Sequence, residues 1–578
     1  MLYSPKEVVI RLISFLILIL FFGEPTWAQK ADQYDVILQN ARIFDGTGNP
    51  WYNADIAIKG ERIEKIGNLE EAQANEVLDL SGLYIAPGFI DIHSHAYGPI
   101  AMEGGIASDD IRRRRAPNLI TQGITTIIGN HDGRSVDKPF HQQLQELSNK
   151  GIGVNTGLLI GHNTIRRKAL GEDYQRLATD SEVDNMREQV RKGMNEGAFG
   201  ISAGLEYVPG RWSNTEEVIA IVQEIVPFGG VYISHQRSEA KTPMLWLPSD
   251  NEPDPPTLLD AVEETIEIGK KTGATVVASH LKARGANYWG GSAAAISLIE
   301  RARNDGVQIY ADQYPYNTSG SDGNTRLIPW WAFDFERFEL ERNESPNYNL
   351  PLNKVLEDPE LSKALYRDIT HSMLYRGGAE RIVVFEHPES EYIGKSIAQL
   401  AEEEGLSNEN MVIKLQRNGF SDRPGGARLR SFSMNQDDLD AIADTDWTAT
   451  TTDGMITLPE DGNDIHARYY GTFTRKIHKY ALTDGTISVA HAIRSSTSLP
   501  AQIMGITNRG LIEEGKYADL VIFDMDTIQD RSTFFEPHQH SKGIEYVFIN
   551  GKKALSAGKL TGQLLGKPLT PKNSRNGI

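Results

Sequence analysis

The sequence predicts an α/β protein: a (β/α)8 TIM-like barrel carrying a small β-sandwich assembled from both chain ends. Three patterns carry that expectation. Through residues 87–496, apolar runs of strand length alternate with helical stretches, as parallel strands joined by crossover helices require. Short alternating strands bounded by glycine occur near both termini, over 34–83 and again over 518–551. Histidine or aspartate stands at the end of most of the apolar runs, where a barrel gathers its chemistry.

The first 28 residues set Lys6 and Arg11 ahead of an apolar run over 12–22, and Pro25-Thr-Trp-Ala28 offers a small-residue exit. They read as a signal peptide, cleaved to leave the chain periplasmic or secreted with no stable membrane insertion; an uncleaved anchor is the alternative. Residues 29–86 and 497–570 are expected to form the sandwich, and alternation in runs such as Asp35-Val-Ile-Leu-Gln-Asn-Ala-Arg-Ile-Phe44 argues for antiparallel pairing. Within the barrel, 87–496, strands are expected to end at His95, Asn130, His162, about Ala203, His235, His280, Asp312 and Asp453. Helices are expected over 257–272 and 292–304, among others. The interval from Asp312 to Asp453 is far too long for one crossover, so an insertion subdomain at about 320–440 is expected to close over the site. An open doubly wound sheet would show the same alternation, but no glycine-rich phosphate loop follows the first strand.

At 578 residues the chain can bury a large core, and its formal net charge of -19 disfavours nucleic acid or an anionic membrane surface as a partner. There is no cysteine. Disulfides, a lipidated thiol and thiolate metal ligands are therefore all excluded. Oligomeric state is not legible from these features.

Six of the fourteen histidines fall at or just beyond proposed strand ends: His93, His95, His131, His162, His235 and His280. Asp453, in Trp447-Thr-Ala-Thr-Thr-Thr-Asp-Gly454, adds a carboxylate after the eighth strand. Each alone reads as a hydrogen-bonded polar residue at the rim of a core. Together, brought to one end of a barrel, they read as a metal centre, and imidazole with carboxylate suits zinc best.

Pro87-Gly-Phe-Ile-Asp-Ile-His-Ser-His95 resembles the first-strand signature of the amidohydrolase superfamily. The resemblance narrows through Gln122-Gly-Ile-Thr-Thr-Ile-Ile-Gly-Asn130, Gly161-His-Asn-Thr-Ile-Arg166, Gly204-Leu-Glu-Tyr-Val-Pro-Gly210 and Ser234-His-Gln-Arg-Ser-Glu239. It continues in Ser279-His-Leu-Lys282, Asp312-Gln-Tyr-Pro-Tyr316, Tyr470-Gly-Thr-Phe473 and Asn508-Arg-Gly510. These are similar to the D-aminoacylase, or N-acyl-D-amino-acid deacylase, family, from about residue 34 to 566, and the insertion matches worst. The resemblance implies zinc-dependent hydrolysis of the amide bond of a small-molecule N-acyl-D-amino acid, with Asp453 as general base and acid. It implies that His235 and His280 hold the tighter zinc and that His93, His95 and Asp453 form a weaker site.

One departure is chemically serious. The family's bridging cysteine, in a Gly-Asn-Cys-Gly turn, is replaced by His131 in Gly129-Asn-His-Asp-Gly133. A thiolate can bridge two metals, whereas a neutral imidazole donates from one nitrogen at a time. Either His131 completes a three-histidine site with His235 and His280, or it is no ligand and His93 and His95 join His235, His280 and Asp453. One zinc is expected, with two as the alternative; Asp132 is read as a turn residue or a substitute bridge.

For the substrate carboxylate, the resemblance points to Lys282, Tyr314 and Arg468, Arg468 as a bidentate clamp. A carboxylated, metal-bridging Lys282 is the less favoured reading. His162 is expected to support a ligand from behind or to be a rim histidine, and Tyr207 and Arg166 to be structural. Competing functions are an isoaspartyl-type dipeptidase, a hydantoinase-like enzyme, or a non-catalytic periplasmic binding protein.

Overall fold

The computed structural model describes residues 33–250, 254–320 and 325–575. The signal peptide expected over 1–28 lies outside the described residues. Among those residues, no helix is long and apolar enough to cross a membrane.

Eight parallel strands form the barrel. They are Phe89–Asp91, Ile124–Gly129, Asn155–Leu158 continued by Ile160–Gly161, Gly200–Gly204, Val231–His235, Thr275–Ala278, Ile309–Gln313 and Thr448–Thr450. The hydrogen-bonded ladders run strand to strand in sequence order, and Leu159 joins the two halves of the third strand. Closure from the eighth strand back to the first is made just beyond them. Ser94 bridges Gly454 in parallel, Asp453 N–H donates to the His93 carbonyl at 2.9 Å, and His95 N–H donates to that of Gly454 at 2.8 Å. Strands such as Ile124–Gly129 and Val231–His235 are buried along their whole length, because interior side chains and outer helices cover both faces.

The outer helices begin where the sequence supplies caps. Thr179 and Thr257 each accept a hydrogen bond from the third helical N–H, and the carboxylates of Glu182 and Asp260 accept the cap residue's own N–H, opening Asp180–Glu196 and Leu258–Thr272. The regular strands stop at Asp91, Gly129, Ala278 and Thr450, so His93, His95, His280 and Asp453 stand two to four residues past their ends rather than at them.

Strands from both ends form one nine-stranded sheet, in which Leu520–Phe523 pairs antiparallel with Tyr84–Pro87. Pairing is not uniformly antiparallel, as alternation led one to expect. Gln33–Ile43 runs parallel to Gln73–Asp79 over its first half and to Tyr84–Pro87 at its end, and a bulge between Leu38 and Ala41 on its other edge lets it bend. Leu38, Ile56 and Ile85 from one end pack against Leu520, Ile522 and Phe548 from the other in one apolar core.

Between the seventh and eighth strands the chain builds a separate core around Leu352, Ile369, Leu400 and Leu415, with an antiparallel pair Ile382–Glu386 and Arg428–Ser431. This subdomain closes at Ser431, short of residue 440, because the helix Gln436–Ala443 packs on Gly291–Asn304 and belongs to the barrel wall. Its buried Asp368 accepts Ser249 Oγ at 2.7 Å, tying it to the loop after the fifth strand.

Candidate metal centre

Four imidazoles and two carboxylates meet at the C-terminal mouth of the barrel. His95 Nε2 lies 3.0 Å from Asp453 Oδ1, and His93 Nε2 lies 3.6 Å from Asp453 Oδ1. On the other side, His235 Nδ1 lies 3.0 Å from His280 Nε2. Asp132 stands between: Oδ2 is 3.5 Å from His95, and Oδ1 is 3.6, 3.8 and 3.9 Å from His93, His235 and His280. His93 Nε2 and Asp132 Oδ1 are buried without a hydrogen-bond partner among the described residues.

Backbone geometry at the rim aims these groups inward. Asn130, Asp132, His280 and Asp453 have φ of 65°, 57°, 34° and 45°, a left-handed conformation seldom adopted by non-glycine residues. Such strain collects where surrounding structure enforces it at a functional site. Asp132 is followed by Gly133, at φ 71°, where a Cβ would lie 2.0 Å from Asn163 Oδ1 and 2.7 Å from Gly204 N. Only glycine passes there, and the turn throws the Asp132 carboxylate into the centre.

Behind the inner atoms, acceptors fix which ring nitrogen carries the proton. His93 Nδ1 is 2.5 Å from Ser279 Oγ, which donates to Asp312 Oδ2 at 2.6 Å. His235 Nε2 is 3.0 Å from Glu206 Oε2. His280 Nδ1 is 2.8 Å from Glu239 Oε1. Lys282 Nζ also lies 2.9 Å from that nitrogen, but a carboxylate can only accept, so the ring proton faces Glu239. Bare lone pairs are then left on His93 Nε2, His235 Nδ1 and His280 Nε2, all directed inward. Two imidazole lone pairs 3.0 Å apart repel unless a cation lies between them.

The electrostatics agree. Burial raises the Asp453 carboxyl, but Arg468 and His95 outweigh it and hold the group well below the usual carboxylate range. Burial of Asp132 is likewise overcome by the facing His280, His95 and His235, which hold its carboxyl well below the usual carboxylate range. Burial would lower His95, yet its contacts with Asp132 and Asp453 push it up to about 9. Without a metal the cluster draws protons to its histidines, and in a cation's presence the same charges serve the cation. Donors about 2.1 Å from one tetrahedral ion lie roughly 3.4 Å apart, and the separations here, 3.0 to 3.9 Å, bracket that value.

The centre floors a cavity of about 400 Å³. The predicted carboxylate binders stand in its wall. Arg468 donates through Nε to the Asp453 carbonyl at 2.8 Å and through Nη2 to Oδ2 at 3.0 Å, while its Nη1 has no partner among the described residues. Lys282 is bonded to Glu239, and the Tyr314 ring lies between the two cations, 5.5 Å from Lys282 Nζ and 4.6 Å from Arg468 Cζ. His466 presets Arg468: its Nδ1 accepts the Arg468 N–H at 2.9 Å and its Nε2 contacts the Thr318 carbonyl at 3.1 Å. Ser319, Thr325 and Arg376 bring the insertion to the same wall.

Two expected roles go elsewhere. His131 stacks on His93 with centroids 4.2 Å apart and bonds through Nε2 to the Ile128 carbonyl at 3.0 Å, and it joins none of the metal-competent groups. Its neighbour Asp132 enters instead, because the turn carries position 132 inward and leaves position 131 against the strand end. His162 does not back a ligand. It pairs with Glu217 at 2.9 Å, beside Arg166, whose guanidinium satisfies the carbonyls of Tyr174 and Arg176. Tyr207, read as structural, faces the cavity, its ring 4.2 Å from that of His235. Glu206, Glu239 and Arg284 were missed, although two of them lie inside the recognised runs at 204–210 and 234–239. A carboxylate one turn past a buried strand was the available signal.

Comparison with known proteins agrees with this architecture. The amidohydrolase family model matches residues 76–222 and 386–554. A D-aminoacylase of Alcaligenes xylosoxydans xylosoxydans is 30% identical over 563 residues, 93% of this chain and 97% of the relative. A D-aminoacylase structure described by its binuclear metal centre superposes with a TM-score of 0.69 at 27% identity, covering 93% of this chain and all (100%) of that one. An N-acyl-D-glutamate deacylase from Bordetella bronchiseptica, solved with zinc and a phosphonate mimic of the tetrahedral intermediate, gives 0.68 at 26%, with coverage of 93% and 100%. The chain belongs to the amidohydrolase family, within its group of D-aminoacylases and N-acyl-D-amino-acid deacylases.

Proposed function

We propose that the chain is a zinc-dependent deacylase that hydrolyses the amide of an N-acyl-D-amino acid to a carboxylate and a free D-amino acid. The observation that carries this reading is the convergence of His93, His95, Asp132, His235, His280 and Asp453 beneath a wall bearing Lys282, Tyr314 and Arg468. The amide and the D configuration rest on the similarity to the D-aminoacylase and N-acyl-D-glutamate deacylase. Nitrogen and oxygen donors at these separations fit zinc. When bound, zinc supplies Lewis acidity, polarising the scissile carbonyl and acidifying a water.

The chain's own residues do the rest. Asp453, kept ionised by Arg468, takes a proton from the attacking water and delivers it to the leaving nitrogen. Arg468 Nη1 is an open donor for the substrate's α-carboxylate, Lys282 adds a second positive charge, and Tyr314 fixes their spacing. Because Arg468 holds Asp453 and faces the carboxylate, substrate seating and base orientation are coupled.

The test is turnover by the zinc-loaded chain and its Asp453→Asn variant on N-acetyl-D-amino acids, their L forms, β-aspartyl dipeptides and hydantoins. Hydrolysis of the D amides, reduced by about 10²–10⁴-fold in the variant, is expected. Turnover confined to the dipeptides or hydantoins would replace this reading with another amidohydrolase, and binding without turnover in both proteins would make the chain a binding protein. The signal read over residues 1–28 puts the reaction in the periplasm or the medium; activity found only in the cytoplasmic fraction would remove that assignment.

A further inference from the structure

We propose that Asp132 bridges two metal ions, making this centre a binuclear one built only of nitrogen and oxygen donors. The inference rests on the metal-dependent reading above and assigns to Asp132 the place that a thiolate would occupy in a chain with cysteine.

The six donors divide into two sets. His93, His95 and Asp453 form one, with His95 and Asp453 3.0 Å apart. His235 and His280 form the other, also 3.0 Å apart. Asp132 reaches both: Oδ2 lies 3.5 Å from His95, and Oδ1 lies 3.6 Å from His93 and 3.8 and 3.9 Å from His235 and His280, between the two sets. That is the geometry of a carboxylate spanning two ions, which in such sites lie roughly 3.5–4 Å apart. Oδ1 is buried with no hydrogen bond among the described residues. A buried anionic oxygen facing three imidazoles costs energy unless a cation compensates it.

A single ion would leave one set of inward lone pairs uncompensated. His131 offers no substitute, because its ring stacks on His93 and one of its nitrogens is committed to the Ile128 carbonyl. Two carboxylates and four neutral imidazoles give two divalent ions a net charge balance of +2, with room for a water and the substrate anion. The donor set is harder than one containing a thiolate, so manganese and cobalt should be accepted beside zinc.

Metal-free chain would be loaded with excess manganese or zinc, freed of unbound ion, and analysed for metal per chain and, with manganese, by electron paramagnetic resonance. Two ions per chain and an exchange-coupled manganese spectrum are expected in the unaltered protein. Asp132→Asn should lose the coupling and about one ion, while His131→Asn keeps both. One ion per chain at saturation, two magnetically isolated ions, or coupling that survives Asp132→Asn would overturn the bridge. Should Asp132→Asn not fold, the stoichiometry and spectrum of the unaltered chain decide alone. Turnover of N-acyl-D-amino acids by a one-metal protein would remove the bridge and leave the deacylase reading intact; a coupled pair without turnover would do the reverse.

Discussion

Asp312 touches no proposed ligand atom, yet changing it to asparagine should weaken metal binding through His93. Asp312 Oδ1 accepts the His280 N–H at 2.8 Å and Thr451 Oγ1 at 3.0 Å, and Oδ2 accepts Ser279 Oγ at 2.6 Å. Burial would raise this carboxyl, but His93 and its other donors bring it down to about 2, so it is ionised and can only accept. Ser279 must spend its one proton on Asp312. Its oxygen then accepts from His93 Nδ1–H at 2.5 Å, leaving His93 Nε2 bare towards the centre. In Asp312→Asn the amide oxygen must keep serving His280 and Thr451, so the NH2 faces Ser279 and the serine proton turns to His93 Nδ1. The ring proton then moves to Nε2, where a cation should bind. Exchanging one charge-assisted arrangement costs about 1.5–3 kcal/mol, equivalent to a loss of roughly 10–100-fold in metal affinity. Competition for zinc against a chromophoric chelator reads this directly, and an unfolding midpoint shows whether the fold persists. Ser279→Ala should weaken binding in the same direction. An Asp312→Asn protein that folds and binds zinc within threefold of the unaltered chain would refute the proton assignment.

Further outcomes follow from other parts of the structure. Arg468→Lys cannot hold both the Asp453 carbonyl and Oδ2, so kcat/KM should fall about 100-fold while metal content is unchanged, as steady-state kinetics and metal analysis would show. Gly133→Ala, forced against Asn163 Oδ1 and Gly204 N, should lose at least about 2 kcal/mol in urea denaturation and bind metal more weakly, because Asp132 is displaced. At Glu217, burial is outweighed by His162 and Arg166, which lower its carboxyl below the ordinary glutamate value of 4.5. A depressed carboxylate stabilises above its unfolded pKa and loses that contribution as pH falls through the folded one. Glu217→Gln should therefore cost about 2–3 kcal/mol at pH 7, with the gap to the unaltered chain closing below pH 4.5 in urea midpoints; a gap independent of pH would refute the ionic role.

The barrel was legible because its strands are buried on both faces and read as unbroken apolar runs, such as Ile124–Gly129. Its candidate ligands stood out in the sequence because histidine is costly in that setting unless it is bonded or metal-bound. Local pattern failed where pairing depends on distant chain. Parallel pairing of Gln33–Ile43 with Gln73–Asp79 leaves the same alternation as an antiparallel pair, and the insertion's end at Ser431 is set by the packing of Gln436–Ala443 on the barrel helix Gly291–Asn304, far earlier in the chain. Glu206, Glu239 and Asp312 were illegible as partners for a related reason. Each meets its histidine across a strand boundary, and nothing local says which imidazole a carboxylate will face.

The choice between His131 and Asp132 shows the limit most closely. Composition favoured the histidine, since imidazole is the better zinc ligand, but a turn exposes one side chain and hides the next according to its backbone dihedrals. Asn130, Asp132 and Gly133 are the residue types that tolerate left-handed φ, and each adopts it; His131 does not. Reading Asn-His-Asp-Gly for backbone tolerance rather than for ligand strength would have placed the three permissive residues on the turn and asked which of them carries a donor. Gly133 has no side chain, and Asn130, with its N–H bonded to Tyr97 and its side chain to Gln143, serves the neighbouring loop. Asp132 remains, a hard donor with two oxygens where a soft bridging atom would otherwise stand, which ties the metal this centre selects to the conformation of one turn.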